Sequence, residues 1–356
     1  MRVYNFGAGP CALPVDVLEE VRSELLDYQG TGMSLIEMSH RSATYDRVHR
    51  RAMDLAREMA ACPDDFEVLF VQGGATLQFS MVPLNLLEDG QRAGYVLSGS
   101  WARKAYADAS KIGDAYPAWD GGSDAYRRMP SPGEVVIADR TRYLHVTTNE
   151  TIDGIRMPEF PDVPVPLVAD MSSELLARRI DWSRFGIVYG GIQKNLGPAG
   201  LAVVYLRRDL PLASGLPSYL SYRWHVESAS LGNTPAMFQI YVMGKVLERL
   251  VARGGVDALE RETREKAELV YRVIDDSDGF YRNPVEPAHR SHTNVVFRLP
   301  DEQLEAEFLA AAQNEGLVGL KGHRSVGGLR ASLYSGVTRQ AVEALADFMR
   351  SFHASH

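Results

Sequence analysis

Apolar residues recur at helical spacing in two stretches near the start of the chain: Val15, Leu18, Val21 and Leu25 within Pro14 to Tyr28, and Met53, Leu55 and Met59 within Tyr45 to Ala61. Both predict helices packed along one face. Gly30 to Thr44 between them is polar and reads as a loop carrying the pair His40-Arg41. From Val68 onward the pattern changes to short runs that are apolar at successive positions. Val68 to Val71, Tyr95 to Leu97, Val135 to Ile137, Leu144 to Val146, Leu167 to Ala169, Gly186 to Tyr189 and Ala202 to Tyr205 read as strands. Thr76 to Leu87 and Trp101 to Lys111 read as helices between them. Strands without polar alternation are covered on both faces, so this region predicts an α/β architecture: a mostly parallel sheet sandwiched by helices. Sheets of that kind hold ligands in crevices beyond the carboxyl ends of their strands.

After Pro235 the order of elements changes. Helices at Ala236 to Arg253 and Val256 to Asp275 precede a strand at Asn294 to Leu299, a helix at Asp301 to Glu315, a strand at Leu329 to Tyr334 and a closing helix at Arg339 to His353. This predicts a smaller α+β domain. The expected division is a large domain over residues 15–250 and a small one over 251–356, joined by residues 1–14. The 356 residues agree with about two domains at roughly 150 residues each.

Composition narrows the function. With 45% hydrophobic and 24% charged residues the chain is ordinarily globular, and a net charge of -8 disfavours general nucleic-acid binding, which needs Lys and Arg against phosphates. Two cysteines, Cys11 and Cys62, are too few for a disulfide framework or a cysteine-rich zinc site. No run reaches the roughly 18 apolar residues of a membrane span, and the amino terminus lacks a signal-peptide pattern. The expectation is a soluble cytoplasmic protein with no metal.

Chemistry concentrates at strand ends. Tyr189 to Leu201 delivers one lysine, Lys194, from an apolar strand into a glycine-containing turn. There, partial burial would lower its pKa and free the amine for a Schiff base with a carbonyl cofactor, although the spacing alone more often marks a solvated loop lysine. Asp170 ends the apolar run Pro164 to Asp170, one strand earlier, and alone reads more readily as a turn residue or helix cap. Together, lysine and aspartate favour pyridoxal phosphate, since the aspartate can keep the pyridine nitrogen protonated. Val71 to Phe79 runs through two glycines into a helix, offering free N–H groups to a phosphate without matching a nucleotide-binding loop. Trp101 could stack on a cofactor ring or fill a core, and Thr151 could donate to a ring hydroxyl or cap a turn.

These segments resemble the phosphoserine aminotransferases, within the class-V aminotransferases and the fold type I pyridoxal phosphate enzymes. The resemblance runs nearly end to end, through Asn5 to Pro14, Glu37 to Ser42, Gln72 to Phe79, Gly99 to Trp101, Asn149 to Gly154, Ala169 to Ser173, Gly191 to Gly200, Gly232 to Pro235 and Gly322 to Ser332. It implies that Lys194 is the Schiff-base lysine and Asp170 the pyridinium partner. It further implies Trp101 on the ring, Thr151 near its hydroxyl, and Ala75, Thr76 and Gln193 at its phosphate. Asn233 and Thr234 match a motif that reaches the neighbouring subunit's phosphate, so a homodimer with shared active sites is implied. Arg330 matches the carboxylate-binding arginine. His40 and Arg41 of one subunit, with His323 and Arg324 of the other, match the substrate-phosphate region. Thr76 stands where some members carry arginine, and Ala8 where some carry serine.

The implied reaction is reversible transamination between L-glutamate and 3-phosphohydroxypyruvate, giving 2-oxoglutarate and O-phospho-L-serine in serine biosynthesis. The 4-phosphohydroxythreonine of vitamin B6 synthesis is a further candidate substrate. The rival readings are another fold type I transaminase, of alanine-glyoxylate type, which needs no second His-Arg cluster, and a non-catalytic protein keeping the fold, which intact Lys194 and Asp170 disfavour. A cysteine desulfurase would need a mobile cysteine, and Cys11 and Cys62 lie in the wrong segments.

Overall fold

The computed structural model describes residues 2–131 and 133–356. In chain order the elements begin with β1 (Tyr4–Asn5), α1 (Val15–Glu24), α2 (Ala43–Met59), β2 (Phe66–Gln72), α3 (Gly74–Leu86), β3 (Arg92–Leu97), α4 (Ser100–Ala109) and β4 (Asp114–Asp120). The middle of the chain supplies β5 (Thr141–Thr147), β6 (Asn149–Glu150), β7 (Ile155–Arg156), β8 (Leu167–Asp170), β9 (Phe185–Gly191), β10 (Leu201–Arg207) and α5 (Tyr222–Glu227). The remainder is α6 (Met237–Ala252), α7 (Gly255–Asp275), β11 (Asn294–Phe297), α8 (Glu302–Asn314), β12 (Leu317–Val318), β13 (Leu329–Ser332) and α9 (Arg339–Ser355).

Seven strands form the central sheet in the order β2-β10-β9-β8-β5-β3-β4. All its pairings are parallel except those of β10, which runs antiparallel to both β2 and β9. The sheet is covered on both sides, and alternate residues of each strand go to different cores. Val68, Phe70, Val203 and Tyr205 join α1, α2 and α6 in one cluster, while Leu69, Val71, Val204 and Leu206 join α3 and α4 in another. Burying each such side chain is worth about 1.5–3 kcal/mol. A one-residue register slip would exchange the two faces wholesale, so packing fixes the register. The successive apolar positions of the sequence are explained by this double coverage.

A third cluster joins Phe6 to residues of α7, α8, α9, β11 and β13. β1 pairs in parallel with β12, which brings the amino terminus to this cluster. Helix α7 begins in the first cluster at Val256 and Leu259 and ends in the third at Val270 and Ile274.

One expected strand is absent. Val135 to Ile137 has no strand conformation, and Val136 is 66% exposed. The edge of the sheet is instead β4, paired in parallel with β3. Its sequence, Asp-Ala-Tyr-Pro-Ala-Trp-Asp, hides the strand because an edge position tolerates polar residues and a proline that cannot donate to a ladder.

Candidate active site

The carboxyl ends of β2, β3, β5, β8 and β9 lie at one edge of the sheet, and there the chain leaves a cavity of about 330 Å³. Ala75, Thr76, Trp101, Asp170, Gln193 and Lys194 all border it, with Gly73, Gly74 and Ser172. A larger hollow of about 940 Å³ lies near Phe160 and Arg184. Of its guanidinium groups, those of Arg178 and Arg184 are engaged with main-chain carbonyls of Met157, Pro158, Phe160 and Pro161, and that of Arg179 with Asp257.

Lys194 follows β9 and is buried, with Nζ donating to Thr151 Oγ1 at 2.5 Å. Burial lowers its pKa to about 8, against the opposing pull of Asp170 and Glu150. Asp170 is the last residue of β8 and is also buried. Burial pushes its pKa up, while Lys194 and Ser172 act in the other direction. Ser172 donates both its N–H, at 2.9 Å, and its Oγ–H, at 2.6 Å, to Asp170 Oδ1. That turn fixes the carboxylate and leaves Oδ2 for another donor.

The entry to α3 explains the two glycines. Gly73 and Gly74 have φ of +98° and +63°, and a Cβ on Gly73 would meet Leu77 at 2.9 Å. No side chain caps α3, so the amides of its first turn open onto the cavity with the positive end of the helix dipole behind them. Trp101 Nε1 and Gln193 Oε1 are buried without a hydrogen-bond partner. An amine, a buried carboxylate, an indole face and an uncapped helix start in one cavity fit the aldehyde, ring nitrogen, ring face and phosphate of pyridoxal phosphate.

Beyond this cavity, Arg330 on β13 donates from Nη1 to Thr151 O at 3.1 Å, and its Nε is buried without a partner. Arg330 and His323 border an adjoining hollow of about 190 Å³ with Asp153. Arg324 is exposed beside His323. Asn233 and Thr234 do not border the cavity. Asn233 Nδ2 donates to Gln72 Oε1, and Gln72 Nε2 donates to Thr234 O, at the last residue of β2. His40 and Arg41 border neither hollow; His40 Nε2 is buried without a partner, and Arg41 is exposed.

Sequence reasoning missed Ser172, Asn195, Glu150 and Asp153. Ser172 carried a local signal, an Asp followed two residues later by Ser. Asn195 ties the turn after Lys194 to the other core: Ser335 N–H donates to its Oδ1 at 2.8 Å, and its own Nδ2 donates to Leu175 O. Glu150 and Asp153 accept from the start of α4, a contact that no short spacing reveals.

The Aminotransferase class-V family model matches residues 3–345. A phosphoserine aminotransferase of Niallia circulans is 49% identical over 357 residues, covering 99% of each chain. The solved phosphoserine aminotransferase of Bacillus circulans subsp. alkalophilus superposes with a TM-score of 0.97 at 48% identity, covering 99% of both chains. That of Trichomonas vaginalis, with pyridoxal phosphate bound, gives 0.93 at 34% identity over 98% of this chain and 100% of its own. By full-length identity near one half, matched fold and a cavity with this chemistry, the chain belongs to the class-V aminotransferases and, within them, to the phosphoserine aminotransferases.

Proposed function

We propose that this chain is the phosphoserine transaminase that exchanges the amino group of L-glutamate with 3-phosphohydroxypyruvate, with pyridoxal phosphate as cofactor. The observation that carries the reading is the single cavity that gathers Lys194, Asp170, Trp101 and the uncapped start of α3. The alanine-glyoxylate alternative is disfavoured, because the full-length relatives near one-half identity are phosphoserine aminotransferases.

Ala75, Thr76 and Gln193 would hold the cofactor phosphate, Trp101 the ring face, Thr151 the ring hydroxyl, Asp170 the ring nitrogen and Lys194 the aldehyde carbon. When bound, pyridoxal phosphate supplies an electrophilic carbonyl and a ring that accepts electrons. Buried Asp170 would hold a proton on the ring nitrogen through the Oδ2 that Ser172 leaves free. The Lys194 amine, whose pKa burial lowers toward the neutral range, would take the proton from the substrate Cα. Arg330 binds the substrate carboxylate with its planar fork, and its bond to Thr151 O sets the angle of that fork. His323 and Arg324 bind the substrate phosphate together with His40 and Arg41 contributed by the second subunit of a homodimer. Asn233 and Thr234 reach the other subunit's cofactor phosphate in the same assembly. Exposed Leu25, Leu26, Met33 and Ile36, close in sequence to His40, support that interface. The two units of the fold are residues 15–250 and 251–356, with 1–14 joining the second; the pairing of β1 with β12 supports this. Among the described residues no helix is long and apolar enough to cross a membrane, and we assign the enzyme to the cytoplasm.

The test compares kcat/KM for 3-phosphohydroxypyruvate with that for unphosphorylated hydroxypyruvate. Loss of charged hydrogen bonds predicts roughly a hundredfold lower value for the latter. Equal values overturn the phosphate-site assignment. Lys194→Ala is expected to lose the visible band near about 400 nm that the loaded enzyme shows.

A further inference from the structure

Helix α4 is preceded at its N-cap by Gly99, which has no side chain to cap it, yet its first turn is fully satisfied. Asp153 Oδ2 accepts from Ser100 N–H at 3.0 Å, Glu150 Oε2 from Trp101 N–H at 2.9 Å, and Glu150 Oε1 from Ala102 N–H at 2.8 Å. The next amide, Arg103 N–H, already bonds within the helix to Gly99 O. Two carboxylates of the β6–β7 hairpin, Glu150 at the end of β6 and Asp153 in the turn that follows and also holds Thr151, therefore cap a helix 48 to 53 residues away in sequence. The fit is tight: a Cβ on Gly99 would lie 2.7 Å from both Cγ and Cδ of Glu150.

The same turn carries Thr151, which accepts from Lys194 through Oγ1 and from Arg330 through its carbonyl. Trp101, whose own amide Glu150 holds, lies with its ring centroid 5.3 Å from Lys194 Nζ. Glu150 is wholly buried, and burial together with the neighbouring Asp153 pushes its pKa up. An acid kept in so costly a place, when a serine or aspartate at Gly99 could cap α4 locally, calls for a reason. A local cap would leave α4 free to shift relative to Thr151 and Lys194, whereas the carboxylate from the Thr151 turn locks the two together.

We propose that Glu150, seconded by Asp153, is a positioning residue that sets Trp101 in register with Thr151, Lys194 and Arg330, so that the ring-covering face is preformed before pyridoxal phosphate arrives. This rests on the reading of Trp101 as the residue that covers the cofactor ring. Glu150 itself touches neither cofactor nor substrate; it acts through the backbone of Trp101.

The test is a double-mutant cycle on the full chain freed of cofactor, titrated with pyridoxal phosphate. Glu150→Gln keeps the shape but turns one acceptor oxygen into a donor, and is expected to weaken cofactor binding roughly tenfold. Trp101→Ala is expected to weaken it as well, and the double variant to bind no more weakly than Trp101→Ala alone. Full additivity, or unchanged affinity in Glu150→Gln, overturns the proposal. Gly99→Ala displaces both capping carboxylates by contact, Asp153 Oδ2 as well as Glu150, without removing a polar group, so it tests the cap as a whole should Glu150→Gln fail to fold; it too is expected to lose affinity only when Trp101 is present. Unchanged affinity in Trp101→Ala would instead sink the reading of Trp101, and is distinguishable from failure of Glu150 alone.

Discussion

Lys194 and Asp170 depend on each other through charge and burial. Burial depresses the Lys194 pKa from 10.5 to about 8, while Asp170 draws it upward. The free amine therefore dominates above about pH 8 instead of only above the ordinary lysine range. The rate at which the cofactor-free chain takes up pyridoxal phosphate, followed by absorbance, is expected to rise with pH, with its inflection near 8 and a plateau above it. An inflection at 10.5 would show that the amine is not buried in solution. Removing the negative charge in Asp170→Asn shifts the inflection to lower pH, because the group that favoured the ammonium form is gone. Both residues were legible in the sequence because each is the lone charged residue at the end of an apolar run. Ser172, which orients Asp170, was legible only as a spacing, and Glu150 not at all, because its partners lie 48 and 49 residues away.

At the scale of elements, the start of α3 gives a contrast between neighbours. A Cβ at Gly73 meets Leu77 at 2.9 Å and the residue sits at φ +98°, whereas at Gly74 nothing lies within 4 Å and only the φ of +63° opposes a side chain. Gly73→Ala is expected to destabilise by about 1–3 kcal/mol, through backbone strain and displacement of Leu77. Gly74→Ala is expected to cost less, about 1 kcal/mol. Urea unfolding with unchanged m-value measures both; equal losses would contradict the contact at Leu77. The strand β4 shows where element reading fails. Apolar periodicity finds buried strands, and an edge strand carrying Asp114, Pro117 and Asp120 has little periodicity to find.

For the whole molecule, α7 runs from the first cluster into the third, and a buried polar contact holds the carboxyl-terminal segment to it. Lys266 on α7 is buried and donates to Tyr334 O at 2.9 Å and to Val337 O at 3.0 Å, pinning the segment before α9. Burial lowers its pKa from 10.5 to about 8. Between pH 8 and 10 the unfolded chain binds the proton that the folded chain has released, so this group makes stability rise with pH across that window. The gain is on the order of 3 kcal/mol at most. Lys266→Met is expected to flatten the rise in Tm between pH 8 and 10, relative to the parent chain with cofactor bound. A parallel slope in both proteins would place the titration elsewhere.

By itself the sequence determined the double coverage of the sheet, the change of pattern after Pro235 and the placing of Lys194 and Asp170 at strand ends. These follow from periodicity and local turn chemistry, which act over a few residues. Only the tertiary structure decided that β8, β9 and β10 are adjacent, that β4 rather than Val135 to Ile137 closes the sheet, and that Arg330 bonds to Thr151 across 179 residues. It also decided that Glu150 caps α4. Such contacts depend on strand order and on how closely backbones can approach, as at Gly99, and no spacing along the chain encodes either.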